Sequence, residues 1–127
     1  MPKRGTAFGH NRERKVKALL EAEGWFVIRA PGSLGLADLV AIRRGALGTT
    51  NEGAPVGPGS RVRMIEVKGT AAGPFHSFPP ADRAALSKAA ELAGASAELA
   101  YWPAHKELRW IPEADWPRTD KGEGESQ

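Results

Sequence analysis

The strand-like run Arg61-Val62-Arg63-Met64-Ile65-Glu66-Val67-Lys68 constrains this chain more than any other stretch. Side chains of a β-strand alternate between its two faces, so Ile65 and Val67 turn one way. Glu66 and Lys68 turn the other way, roughly 6–7 Å apart along the backbone. Asp38-Leu39-Val40-Ala41-Ile42 opens a second β-type run on another acid. If the two strands are neighbours, Asp38 and Glu66 meet at one edge of a sheet with Lys68 beside them. In isolation a Glu-x-Lys pair is more often an ion pair on a wetted strand face, so its meaning depends on the rest of the chain.

At 127 residues and 41% apolar content the chain reads as one domain with a real core of strands and two helices. It has no run of about 18 apolar residues, so no membrane span is expected. The basic start Met1-Pro2-Lys3-Arg4-Gly5 lacks the apolar segment of a signal peptide. With no cysteine, disulfides and thiolate zinc sites are excluded, and a cytoplasmic setting is expected, a host's if the chain is phage-encoded. The formal charge is +3, but residues 113–127 sum to −3 and leave +6 on residues 1–112. A basic body suits a polyanionic partner, nucleic acid first.

Residues 1–9 read as a flexible basic arm, and a domain is expected over residues 10–112. From His10 to Glu23 the apolar period is helical through Val16, Leu19 and Leu20, with Asn11 as cap and Gly24 as stop. Trp25 to Arg29 is a strand by composition. Ala30 to Gly35 breaks it with a proline and two glycines. That loop can face a phosphate with backbone N–H groups and the Ser33 hydroxyl, or can simply connect strands. Residues 45–60 hold five glycines and two prolines and read as a mobile connection between the two acid-bearing strands. Gly69 to Pro80 is a second loop with Phe75, His76 and Phe78, whose rings could stack on bases or close over the core. A second helix starts at Pro79-Pro80, with an apolar stripe through Ala85, Leu86, Ala89, Leu92 and Ala93 and a stop at Gly94. Ala97–Trp102 and Leu108–Ile111 complete the strands. Residues 113–127 are expected to be a disordered acidic tail. His10, His76 and His105 show no metal-type spacing.

The order of elements is α-β-β-β-α-β with a terminal strand, and the acids fall on it in a fixed sequence. Glu13-Arg14 opens the first helix; Val27-Ile28-Arg29-Ala30-Pro31-Gly32-Ser33 precedes Ala37-Asp38-Leu39-Val40; Met64-Ile65-Glu66-Val67-Lys68-Gly69-Thr70 follows. In these three pieces, over roughly residues 9–102, the chain resembles the PD-(D/E)XK nuclease superfamily. It is most similar there to the archaeal-type Holliday junction resolvases, small homodimeric endonucleases. One departure is Ala37, where the family usually has proline; that proline shapes backbone and performs no chemistry.

The resemblance implies a restriction-endonuclease-like α/β fold, an αβββαβ core with a mixed central sheet flanked by helices. It implies Asp38, Glu66, the Val67 carbonyl and Glu13 as ligands of Mg²⁺, with Mn²⁺ able to substitute. The chemistry agrees, because Mg²⁺ takes hard oxygen ligands, keeps several waters and binds phosphate oxygens. Lys68 would position the attacking water or neutralise developing charge, and Ser33 would stand near the cleaved phosphate. Arg14 and Arg29 match family basic positions; Arg43, Arg44, Arg61 and Arg63 are further candidates for phosphate contact, with Phe75 and Phe78 against DNA. The expected partner is branched DNA, a four-way junction, cut symmetrically by a homodimer, with no membrane and no small-molecule substrate. Trp102, Trp110 and Trp116 are candidates for the dimer surface. The alternatives are a nuclease of this type acting on flaps, nicks or a specific duplex site, and a non-catalytic junction-binding protein.

Overall fold

The computed structural model of the protein describes residues 2–30, 37–43 and 61–117, with the helical backbone alone for residues 2–10. Its elements are α1 (Pro2–Ala22), β1 (Phe26–Arg29), β2 (Leu39–Ile42), β3 (Val62–Lys68), α2 (Pro80–Ala93), β4 (Ser96–Tyr101), β5 (Arg109–Pro112) and a single 3-10 turn, Glu113–Asp115. The five strands form one sheet in the order β1-β2-β3-β4-β5. β1, β2 and β3 are antiparallel neighbours, β3 and β4 run parallel, and β5 returns antiparallel. The parallel step is possible because α2 carries the chain back across the sheet. This is the mixed α/β architecture expected from the sequence.

The strand parity read from the sequence decides the layers. Ile65 and Val67 face α1 and join Val16, Leu20, Trp25, Val27, Leu39 and Ala41 in one core. On the opposite face α2 brings Leu86 and Ala90 against Ala97, Leu99, Tyr101 and Ile111, with Val62 and Met64 packed alongside. β4 is buried along its whole length, as a strand covered on both faces must be. Each fully buried side chain of the Leu or Phe class contributes roughly 1.5–3 kcal/mol of transfer free energy.

Four local expectations change. The first helix begins at Pro2, not His10, so residues 2–9 extend the helix where a flexible arm was expected. Proline suits the first helical position because its missing N–H needs no partner there, and Asn11 lies inside the helix and does not cap it. On α2 the buried residues are Arg83, Leu86 and Ala90, while Leu92 is 80% exposed; the inward face is therefore rotated from the expected stripe. The compact unit also runs past Pro112. Trp116 is buried, its indole N–H donates to the Ile111 carbonyl at 3.0 Å, and its ring meets Phe78 edge-on at 5.1 Å. The tail beyond Pro117 and the 45–60 connection lie outside the described residues. The expected glycine stops do hold: Gly24 and Gly94 both have positive φ, 98° and 68°.

Candidate active site

The site lies where β2 and β3 part. The Asp38 N–H donates to the Ile65 carbonyl at 2.9 Å, and its carboxylate Oδ2 then accepts the Val67 N–H at 2.7 Å. Asp38 thus replaces the missing rung of the ladder with its own side chain. N–H and C=O of one residue turn to the same edge of an antiparallel ladder, so the Val67 carbonyl faces the Asp38 side as well. Glu66 and Lys68 project together from β3, with Lys68 Nζ 3.0 Å from Glu66 Oε2. Both are half-buried, at 17% and 22% side-chain exposure, so they are neither core nor open surface.

The electrostatics of this edge are unbalanced toward negative charge. Burial raises the Asp38 carboxyl to about 7, the neighbouring Glu66 charge adds to this, and the Val67 N–H and Lys68 pull it back only in part. Glu66 is also raised, first by burial, with Lys68 opposing and Asp82 and Glu13 reinforcing. Asp82 belongs to the first turn of α2 and was not picked out from the sequence. An acid in a first helical turn is ordinary, and only the crossover places this one near Glu66.

Glu13 stands apart from this pair. Its Oε1 accepts a hydrogen bond from Arg29 Nη2 at 3.3 Å, an ion pair on the α1 side of the sheet. Among the described residues, no three histidines or acids stand close enough together to hold a metal ion. The expected set of ligands is therefore gathered as a pair, Asp38 and Glu66, with Glu13 near enough to be felt electrostatically but engaged by Arg29. The donor chemistry still suits a divalent cation. Two half-buried carboxylates with one amine beside Glu66 are short of positive charge, which is what a hard cation supplies.

The remaining predicted residues separate. Ser33 and Arg44 lie outside the described residues. Arg14 is exposed on α1. Arg29 is half-buried, and its Nε has no hydrogen-bond partner. Arg63 is engaged within the chain: its guanidinium pairs with both oxygens of the buried Glu98, at 2.8 and 2.7 Å, and lies near the rings of Trp25 and Trp110. Arg43 also lies over the Trp25 ring, at 4.2 Å, and donates to the Glu23 carbonyl. Arg43, Arg61 and Arg63 also sit at the start of β3 or beside it. At 3.3 Å per residue that is about 15–23 Å from Lys68. Phe78 is 1% exposed and belongs to the core, and Phe75 packs against that core beneath Arg83. Of the three candidate tryptophans, Trp116 is buried, Trp102 is half-buried with its indole tied to Lys106, and Trp110 is exposed; large apolar side chains are also exposed at Leu19, Leu92, Phe26, Ile28 and Ile42, the last three together on β1 and β2.

Comparison with known proteins agrees with the fold. A family model described as archaeal Holliday junction resolvase (Hjc) matches residues 4–50, the stretch holding Glu13, Arg14, Arg29 and Asp38. Eleven solved chains match the structure. One is Archaeoglobus fulgidus Hjc, described as a Holliday junction resolvase from an archaeal hyperthermophile. It is 26% identical, with a TM-score of 0.58, over 79% of this chain and 72% of that one. The chain is similar to these resolvases in sequence over residues 4–50 and in fold beyond that span. No curated protein matches the chain. No helix among the described residues is long and apolar enough to cross a membrane.

Proposed function

We propose that this chain is a metal-dependent, structure-selective DNA endonuclease that resolves four-way junctions by paired, symmetric phosphodiester cleavage. The observation that carries the reading is the Asp38–Glu66–Lys68 edge: two half-buried carboxylates, one raised to about 7, and one amine at 3.0 Å from Glu66. Asp38, Glu66 and the Val67 carbonyl would hold Mg²⁺, or Mn²⁺ in its place, with Glu13 available if Arg29 releases it. A bound cation there would polarise the scissile phosphate and lower the pKa of a coordinated water. Lys68 holds a positive charge beside Glu66, where it can orient that water and offset charge growing on the phosphate. Asp38 is held in place by the Val67 N–H, so its free oxygen keeps a set direction. Arg14 and Arg29, on the α1 side, would grip the DNA backbone; such contacts position a duplex without reading its sequence.

A four-way junction has two strands to cut alike, which a twofold dimer does with two identical sites. The sheet face formed by Phe26, Ile28 and Ile42 is the apolar surface that such pairing would cover. These residues are 67%, 45% and 38% exposed, and Phe26 and Ile42 are direct cross-strand partners. Sedimentation of wild type and Phe26→Asp tests this, and a wild-type monomer at micromolar concentration would sink it.

The deciding assay incubates a labelled four-way junction with Mg²⁺ and wild type, Asp38→Asn or Lys68→Ala. Wild type should give paired nicks, and the variants none above background. Equal cutting by wild type and Asp38→Asn, or no cutting by either, refutes the reading. Competition by linear duplex at matched salt separates junction selectivity from action on flaps, nicks or duplex, because nonspecific phosphate binding falls steeply with salt.

A further inference from the structure

Arg12 is the side chain that ties α1 to the far end of β3. It precedes Glu13 on the helix and reaches across the sheet, where its Nε donates to the Trp102 carbonyl at 2.7 Å. The Trp102 N–H donates in turn to the Lys68 carbonyl at 2.8 Å. The guanidinium lies directly on Gly69. A Cβ at that position would stand at clashing range of Arg12 Cζ and Nε and 2.6 Å from Nη1. Gly69 does not need its conformational freedom here, since its φ is not in the left-handed region. A side chain at 69 would have to push the Arg12 guanidinium out of the place it occupies. One turn along α1, Lys15 Nζ stands 5.6 Å from the centre of the Trp102 ring, and the indole N–H of that ring is fixed to the Lys106 carbonyl. Trp102 is therefore held from both sides, and the carbonyl that receives Arg12 is a rigid anchor.

We propose that Arg12 and Gly69 form a positioning pair that sets the distance between Glu13 and Lys68 during cleavage. The inference rests on the proposed function and adds two residues to it. Arg12 is next to Glu13 in sequence, and Gly69 is next to Lys68. Locking 12 onto 69 and 102 thus fixes the helix-borne acid relative to the strand-borne amine through one backbone step on each side. Neither residue touches a reacting atom. Their effect passes through the placement of their neighbours, and misplacement of a catalytic group by about 1 Å can cost on the order of a hundredfold in rate.

The test compares wild type, Arg12→Ala, Arg12→Lys, Gly69→Ala and the double variant Arg12→Ala/Gly69→Ala. Three quantities are read on each: the single-turnover rate of junction cleavage at saturating enzyme with Mg²⁺, the junction Kd in Ca²⁺, and the thermal midpoint. The pair predicts a rate loss of about tenfold or more in each single variant, with Kd within about twofold of wild type. Thermal midpoints should stay close to wild type. Arg12→Lys should not restore the rate, because an ammonium lacks the planar fork that fills the Gly69 surface and bonds Trp102. The double variant should be no slower than either single, the signature of two residues acting as one unit. Additive rate losses, or losses matched by falling midpoints, overturn the pair as a positioning device. Wild-type cutting with unchanged variant rates overturns it while leaving the proposed function standing. A wild type that does not cut overturns the proposed function first, and the positioning role with it.

Discussion

Replacing Asp38 by Asn should stabilise the fold at neutral and alkaline pH while abolishing cleavage. The Asp38 carboxyl is held at about 7 against an ordinary 3.8, chiefly by burial and then by Glu66. Between these two pH values the folded chain keeps a proton that the unfolded chain has released. Stability therefore falls as pH rises from about 4 to about 7 and stays lowered above that. Fully ionised, Asp38 costs the fold up to roughly 4 kcal/mol, with local relaxation and its coupling to Glu66 reducing what is observed. Asn does not titrate, and its carboxamide oxygen can still accept the Val67 N–H that Asp38 accepts at 2.7 Å. The assay is thermal unfolding of wild type and Asp38→Asn in metal-free buffer at pH 4, 6 and 8. The two midpoints should lie close together at pH 4 and separate in favour of Asn by pH 8, at about 4 °C per kcal/mol for a chain of this size. Midpoints that run parallel across the range, or an Asn variant that is the less stable at pH 8, would refute the account of Asp38 as a carboxylate strained by its surroundings.

Millimolar Mg²⁺ or Mn²⁺ should raise the wild-type midpoint at pH 8 and leave Asp38→Asn and Glu66→Gln nearly unmoved; a cation at a hundred times its Kd contributes about 2.7 kcal/mol. Arg63→Ala should destabilise by about 3–5 kcal/mol, measured by urea unfolding, because it leaves the Glu98 carboxylate buried without its cation. Phe78→Ala should cost about 3–5 kcal/mol by the same measurement, with the junction affinity of the folded fraction unchanged, since its ring meets Trp116 in the core.

The acidic edge was legible because strand parity is a property of sequence. Once Ile65 and Val67 are assigned to a core, Glu66 and Lys68 must share the other face, and the pairing Leu39↔Ile65 brings Asp38 to them. Partnership among charged groups was not legible in the same way. An arginine looks alike in sequence whether it meets phosphate, solvent or a buried acid. The available clue was Glu98, an acid inside the otherwise uncharged strand Ser96–Tyr101. A carboxylate in a strand buried on both faces requires a cation, and parallel pairing puts Arg63 within reach of it. Asp82 and Arg12 carried no comparable signal, because their relevance comes from a crossover helix and from a long side chain spanning the sheet.

If the substrate is the DNA proposed above, the placement of the arginines limits how it would lie on this surface. Arg61 precedes β3, Arg63 lies near its start and Lys68 ends it, so a basic patch at the strand start would not reach a phosphate held at the acids. Arg63 is also committed to Glu98, and Arg43 to Trp25 and the Glu23 carbonyl. Grip close to the site must then come from α1 and the end of β1, where Arg14 is exposed and Arg29 stands against Glu13. Under the proposed function that arrangement would couple binding to chemistry. A phosphate drawing Arg29 toward itself would weaken the ion pair holding Glu13, and a released Glu13 would offer a third carboxylate to a cation beside Asp38 and Glu66. Substrate arrival would thereby complete the ligand set, which keeps the site short of a full metal complement until DNA is in place.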